Sequence, residues 1–187
     1  MVLAKQEIIE YLDSGRLTFD PDIDRSNIEQ VSIDLRLGRK FTIFKKSADQ
    51  NYLGALQVDA SLFRAQLWED FEGDTFVLDP RAFVLAQTFE KVTLPNDLVG
   101  LVEGRSSWAR TGVSVHVTAP KIDPTFSAVI ALEMTNLSPY PIMLRAGEDK
   151  PCQLMLLRTT SPIADEDAYG TKKTHTFQGQ TSPIPGR

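Results

Sequence analysis

Residues able to do acid–base and anion chemistry crowd into one stretch of the chain, Gly104 to Asn136. Gly104-Arg105-Ser106-Ser107-Trp108-Ala109-Arg110 brings together two guanidinium groups, two hydroxyls and several backbone N–H donors. A loop of that composition can hold a polyanion such as a phosphorylated small molecule. Further on, Glu133 is the one acid in the apolar run Val129-Ile130-Ala131-Leu132-Glu133-Met134. A carboxylate partly withdrawn from water has a raised pKa and accepts protons better near neutrality, which suits a general base. The same alternation also fits an ordinary solvent-facing strand residue, and the local pattern leaves both readings open. Asp123, before Pro124, is either a turn-former or a second acid. Arg105 and Arg110 read equally as solvated charges, Trp108 as packing, and His116, among valines, as a structural histidine.

Other chemistries lack their parts. The chain has one cysteine, Cys152, and two histidines, His116 and His175. That excludes an intrachain disulfide, a multi-cysteine zinc site and the zinc-dependent nucleobase deaminases. Neither a nucleophile-elbow sequence nor a Walker-type phosphate loop is present. The acidic loop Asp20-Pro21-Asp22-Ile23-Asp24 lacks the ligand spacing of a calcium loop. A formal net charge of -5 weighs against nucleic-acid binding. What remains is a hydrolytic reaction in which a carboxylate activates water.

The elements that must position these groups are mostly strands. The 187 residues, 42% hydrophobic and 24% charged, suit one globular domain. Residues 4–14 carry Ile8, Ile9 and Leu12 at helical spacing, with Gly15 as the stop. Val31–Gly38 alternates as a half-buried strand and places Asp34 and Arg36 on one face, as a structural pair. Strands are also expected at Phe41–Phe44, Thr75–Pro80, Phe83–Thr88, Lys91–Pro95 and Leu98–Val102. Further strands are expected at Val113–Thr118, Val129–Met134, Tyr140–Leu144 and Cys152–Leu157. Val58–Asp79 before Thr75 reads as loop with a short helix. Many short strands with one helix predict a β-sandwich or barrel. The polar segment 165–187 reads as a frayed terminus or as a lid that orders over a ligand. The acidic start argues against a signal peptide, and no run approaches roughly 18 apolar residues, so a cytoplasmic protein without a membrane span is expected.

Taken in order, these motifs resemble those of the dCTP deaminase family, within the trimeric dUTPase-like superfamily. The resemblance rests on Gly104-Arg105-Ser106-Ser107, Ala109-Arg110-Thr111-Gly112, His116-Val117-Thr118-Ala119, Ile122-Asp123-Pro124 and Leu132-Glu133-Met134-Thr135-Asn136. Ser32–Gly38 and Phe177-Gln178-Gly179-Gln180 add an N-terminal and a C-terminal signature. It implies one domain over 1–187, a mainly β, distorted barrel or jelly-roll-like (β-clip) subunit with a short N-terminal helix and a flexible tail. It implies a homotrimer with shared active sites and hydrolytic deamination of dCTP. Magnesium would be carried on the triphosphate, with no zinc, and dTTP would be a candidate inhibitor. Carried over by position, Glu133 is the general base, while Ser106 and the Ala119 carbonyl hold the water. Arg105, Ser106, Ser107, Trp108, Ala109 and Arg110 line the phosphate and reaction side, Arg110 being counted with the catalytic group. Asp123 meets the sugar, the backbone of Ala131, Leu132 and Glu133 reads the base, and Gln153, Tyr169 and Gln180 contact the triphosphate. Thr176-Phe177 stands where the family often has Lys-Tyr, with Lys172 and Lys173 nearby. The expected product is dUTP with ammonia. The alternatives are dUMP with diphosphate, from a bifunctional member, or a non-catalytic regulatory homologue.

Overall fold

Strands dominate the structure, a computed structural model that describes residues 1–45, 68–172 and 175–184. Helix α1 (Lys5–Asp13) leads into β1 (Thr18–Asp20), β2 (Ser32–Leu35), β3 (Lys40–Phe44), β4 (Trp68–Glu72), β5 (Thr75–Leu78), β6 (Phe83–Thr93) and β7 (Leu98–Gly104). A one-turn helix α2 (Ser106–Ala109) precedes β8 (Val113–Ser114), β9 (Lys121–Ile122), β10 (Ser127–Asn136), β11 (Ile142–Arg145) and β12 (Cys152–Arg158). The largest sheet runs β4-β3-β6-β10-β8, with β1 also paired to β6. A second runs β2-β12-β7-β9, and β11 pairs with β5 alone. All of these pairings are antiparallel. The expected barrel is therefore not a closed one among the described residues: two main sheets and a separate two-stranded ribbon share the core.

Strand β10 shows how sequence sets this arrangement. Its even-numbered residues Ala128, Ile130, Leu132 and Met134 are each at most 2% exposed, and the odd-numbered ones alternate onto a half-buried face. Burying each of the large apolar side chains contributes about 1.5–3 kcal/mol, which fixes the strand's facing. Glu133 thereby lands on the face that looks away from the core.

Helix α1 packs Ile8 and Tyr11 into the core, with Ile9 and Leu12 partly covered. The Glu7 carboxylate accepts the Ala4 N–H at 2.8 Å, and Gly15, at φ 68°, ends the helix as anticipated. Tyr11 donates its hydroxyl to Asp97 Oδ2 at 2.6 Å, and Arg16 Nη2 lies 2.7 Å from Asp97 Oδ1.

Some expectations are corrected. Residues 105–110 form a helical turn rather than a loop. The strand at Val113–Thr118 stops at Ser114, because the Ser114 hydroxyl donates to the His116 carbonyl at 2.6 Å and turns the chain. Trp68–Glu72 is a strand rather than loop or helix, pairing with β3, and the remainder of that expectation, 58–67, lies outside the described residues. Asp34 and Arg36 do not pair with each other. Arg36 Nε meets the buried Glu90 at 2.6 Å, while Asp34 meets Arg105.

Candidate active site

One cavity of about 270 Å³ opens on the outward face of β10. Ala119, Asp123, Ala131, Glu133, Tyr169 and Gln180, all expected at the site, line it. That volume lies just below the usual range of small-molecule sites, about 300–1,000 Å³. Leu85, Ile122, Phe126, Phe177 and Pro183 supply its apolar wall. Glu133 is the polar residue of an alternating strand, and the face it occupies is the wall of the cavity rather than open solvent. Its Oε2 accepts the Val117 N–H at 3.0 Å, which fixes the carboxylate against the loop after β8. Asp123 is held by Lys121, whose Nζ lies 2.6 Å from Oδ1.

The C-terminal segment is seated rather than frayed where it is described. Gln180, 9% exposed, donates its side-chain amide to the Val129 carbonyl at 2.9 Å, and its own carbonyl accepts the Val129 N–H at 3.4 Å. Gly179 N–H donates to Ser127 O at 3.0 Å. These residues extend β10's outer edge at 127–129, and β8 covers the same edge at Thr135 and Asn136. The backbone groups of Ala131 and Glu133 point to that edge by the two-residue alternation of an antiparallel strand, in the gap between the two covers. Tyr169 packs edge-on to Phe126 with ring centroids 5.6 Å apart, and burial pushes its phenol up.

Arg105, Ser106, Ser107, Trp108, Ala109, Arg110 and Gln153 are not among the residues that line this cavity. They gather at the junction of β7, α2 and β12. Arg105 Nη2 lies 3.0 Å from Asp34 Oδ2, and Nη1 donates to the Lys150 carbonyl at 3.2 Å. Gln153 donates to the Gly104 carbonyl at 3.2 Å and accepts the Ser32 hydroxyl at 3.0 Å. Burial pushes the Asp34 carboxyl above the usual carboxylate range, with Arg105 pulling it back. Ser106, Ser107, Ala109 and Arg110 are exposed, while Trp108 packs partly against the core. Within one chain, then, the anion-suited residues and the two acids form separate groups.

Among the described residues no three His, Cys, Asp or Glu side chains cluster to hold a metal ion. No described helix is long and apolar enough to cross a membrane. His116 is less satisfied than expected: Nε2 lies 3.4 Å from Glu103, and Nδ1 is buried with no hydrogen bond. Sequence reasoning missed the Val117 N–H, a backbone donor with no side-chain signal, and Phe126, whose place at a turn hid its contact.

The fold has a solved counterpart. A crystal structure of 2'-deoxycytidine 5'-triphosphate deaminase from Agrobacterium tumefaciens superposes with a TM-score of 0.65 at 19% identity over 90% of this chain. This chain spans 49% of that one. A sequence profile described as dCTP deaminase-like matches residues 2–159. Two relatives carry the name "dCTP deaminase, dUMP-forming". The protein of Mycobacterium sp. (strain KMS) is 42% identical over all of this chain and 95% of its own. That of Methanosphaera stadtmanae is 38% identical over 97% of this chain and 91% of its own. The chain belongs to the dCTP deaminase-like family.

Proposed function

We propose that this chain deaminates dCTP by hydrolysis and releases dUMP, diphosphate and ammonia. In this reading one water replaces the amine at C4 of the cytosine, and a second displaces diphosphate from the α-phosphate. The observation that carries it is that Glu133 and Asp123, two acids from different elements, line one cavity. The relatives' names favour dUMP over dUTP as the end product.

Glu133 takes a proton from the attacking water and gives it to the ring nitrogen, then takes the hydroxyl proton of the C4 adduct and gives it to the amine, which leaves as ammonia while the C4 carbonyl forms. Each such transfer contributes roughly 10²–10⁴-fold. Ser106 and the Ala119 carbonyl orient that water, and Arg110 stabilises the charge that develops. The backbone edge at Ala131, Leu132 and Glu133 reads the base. Asp123 meets the sugar and orients the second water. Tyr169 and Gln180 approach the triphosphate, with Gln153, Arg105, Ser107, Trp108 and Ala109 on the phosphate side. Magnesium comes with the nucleotide as its counter-ion.

The separation of the two residue groups within one chain supports a homotrimer, in which the α2 group of one subunit completes the neighbour's cavity. dTTP, with a pyrimidine ring and the same triphosphate, would compete for that site. The test is to incubate the protein with dCTP and magnesium and to quantify ammonia, dUTP and dUMP together. Ammonia and dUMP should appear in equal amounts. Ammonia with dUTP alone would restrict the enzyme to the first step, and no ammonia would make the chain a nucleotide-binding regulator. Asp123→Asn should lower dUMP release at least tenfold more than ammonia release. Equal loss of both would place Asp123 in nucleotide binding only.

A further inference from the structure

Between Asp123 and the start of β10 the chain turns through Thr125, whose φ is 67°. That left-handed conformation crowds Cβ against the following carbonyl, and a β-branched residue rarely holds it unless its surroundings impose it. The Thr125 N–H donates to the Pro95 carbonyl at 3.4 Å, while its hydroxyl and carbonyl reach its own turn and the C-terminal segment. Its hydroxyl donates to the Pro124 carbonyl at 2.6 Å and accepts the Tyr169 N–H at 2.5 Å. Its carbonyl accepts the side-chain amide of Gln178 at 3.2 Å, and Gln178 Oε1 in turn accepts the Ser127 N–H at 3.0 Å. One residue therefore bonds both Tyr169 and Gln178. Gly170 completes the closure: at φ 105° it brings its backbone against Gln178, where a Cβ would lie 3.1 Å from Cγ.

Thr125 itself does not line the cavity, but what it fastens does. Tyr169, Phe177 and Gln180 form the C-terminal wall opposite Asp123 and Glu133. The Tyr169 ring also stacks on His175, with centroids 4.6 Å apart and planes 11° from parallel.

We propose that Thr125 is a positioning residue that holds the C-terminal segment against the cavity. The proposal deepens the functional reading above and rests on it only for its kinetic consequence. Bonds that hold this wall in place lower the entropy the nucleotide must offset to order it, so the effect falls on binding rather than on the chemical step. The strained backbone is what aims the hydroxyl at Tyr169 and the carbonyl at Gln178 from a single position.

The test compares full-length T125S, T125V and T125G by amide hydrogen exchange in the nucleotide-free protein and by steady-state kinetics with dCTP and magnesium. T125S keeps the hydroxyl and should keep the Tyr169 amide protected. T125V keeps the branched shape without the hydroxyl and should exchange that amide at least tenfold faster, with the Leu132 amide in β10 unchanged. T125G, at ease with a positive φ, should melt no lower than the parent yet exchange Tyr169 as fast as T125V. KM for dCTP should rise at least fivefold in T125V and T125G, with kcat within twofold. Parental exchange at Tyr169 in both T125V and T125G, or exchange in T125S as fast as in T125G, would overturn the proposal. If T125V fails to fold, the contrast of T125S with T125G carries the same decision. Because exchange needs no turnover, absence of deamination would sink the functional reading and leave this one readable.

Discussion

The Glu133 carboxylate accepts the backbone N–H of Val117 across 3.0 Å, tying the middle of β10 to the loop that carries Ala119. The bond uses one carboxylate oxygen and sets the direction of the other. The carboxylate proposed as the base is thus aimed by a backbone donor, which of all substitutions at Val117 only proline would remove.

Glu133→Gln keeps an oxygen for the Val117 N–H and loses the basicity. We expect ammonia release to fall by at least about 10²–10⁴-fold, with dCTP binding by titration calorimetry within twofold of the parent. Loss of binding in a variant that melts normally would move Glu133 from chemistry to recognition.

Arg105 neutralises a buried acid, since Asp34 is 4% exposed. In Arg105→Ala the pull of the guanidinium is gone, and the already raised Asp34 carboxyl rises further. A folded-state pKa raised above the unfolded one makes ionisation costly, so stability is full at low pH and is lost as pH rises through the folded value. The variant should therefore lose about 1–3 kcal/mol at pH 8 and recover part of it at pH 5, by urea denaturation at both. A loss independent of pH would show that Arg105 acts by packing alone.

Asp97 behaves in the opposite sense. Burial pushes its carboxyl up, but hydrogen bonds from Tyr11 and Arg16 outweigh that and hold it below the ordinary range. Its stabilisation is present above the unfolded pKa and disappears as pH falls through the lowered folded value. Tyr11→Phe should cost about 0.5–1.5 kcal/mol at pH 7, shrinking towards zero in acid once Asp97 protonates in both proteins. An undiminished gap at acid pH would mean that the lost hydroxyl matters for packing instead.

Much of the fold was legible because burial writes a two-residue period. Leu132 and Met134 announced the inner face of β10, while in α1 it was the helical period that brought Ile8 to the core. Glu133 could be singled out as the one acid in that run, yet not placed, since an outward residue may face water or a cavity wall made elsewhere. Arg36 and Asp34 were read as each other's partners because sequence shows neighbours along a strand, whereas Glu90 and Arg105 reach them across the fold. The C-terminal segment looked unable to order itself, and alone it cannot. Its seat is the edge of β10 at Ser127 and Val129, on the side that β8 covers only at Thr135 and Asn136. Thr125 carried no local signal at all, because a threonine after proline gives no hint of a left-handed turn.

The register of β6 against β10 slips opposite Ile130: from Val129 to Ala131 on one strand, its partners run from Lys91 to Gln87 on the other. The surplus on β6 is even. Thr88 in that surplus takes the Ile130 N–H on its hydroxyl, at 2.9 Å. Because parity is preserved, side chains before and after the slip keep their sides of the sheet. Lengthening or trimming β6 there by a single residue would turn Val84 and Ala86 outwards and strip the lining from behind Leu132, whereas a change of two would leave inside and outside where they are.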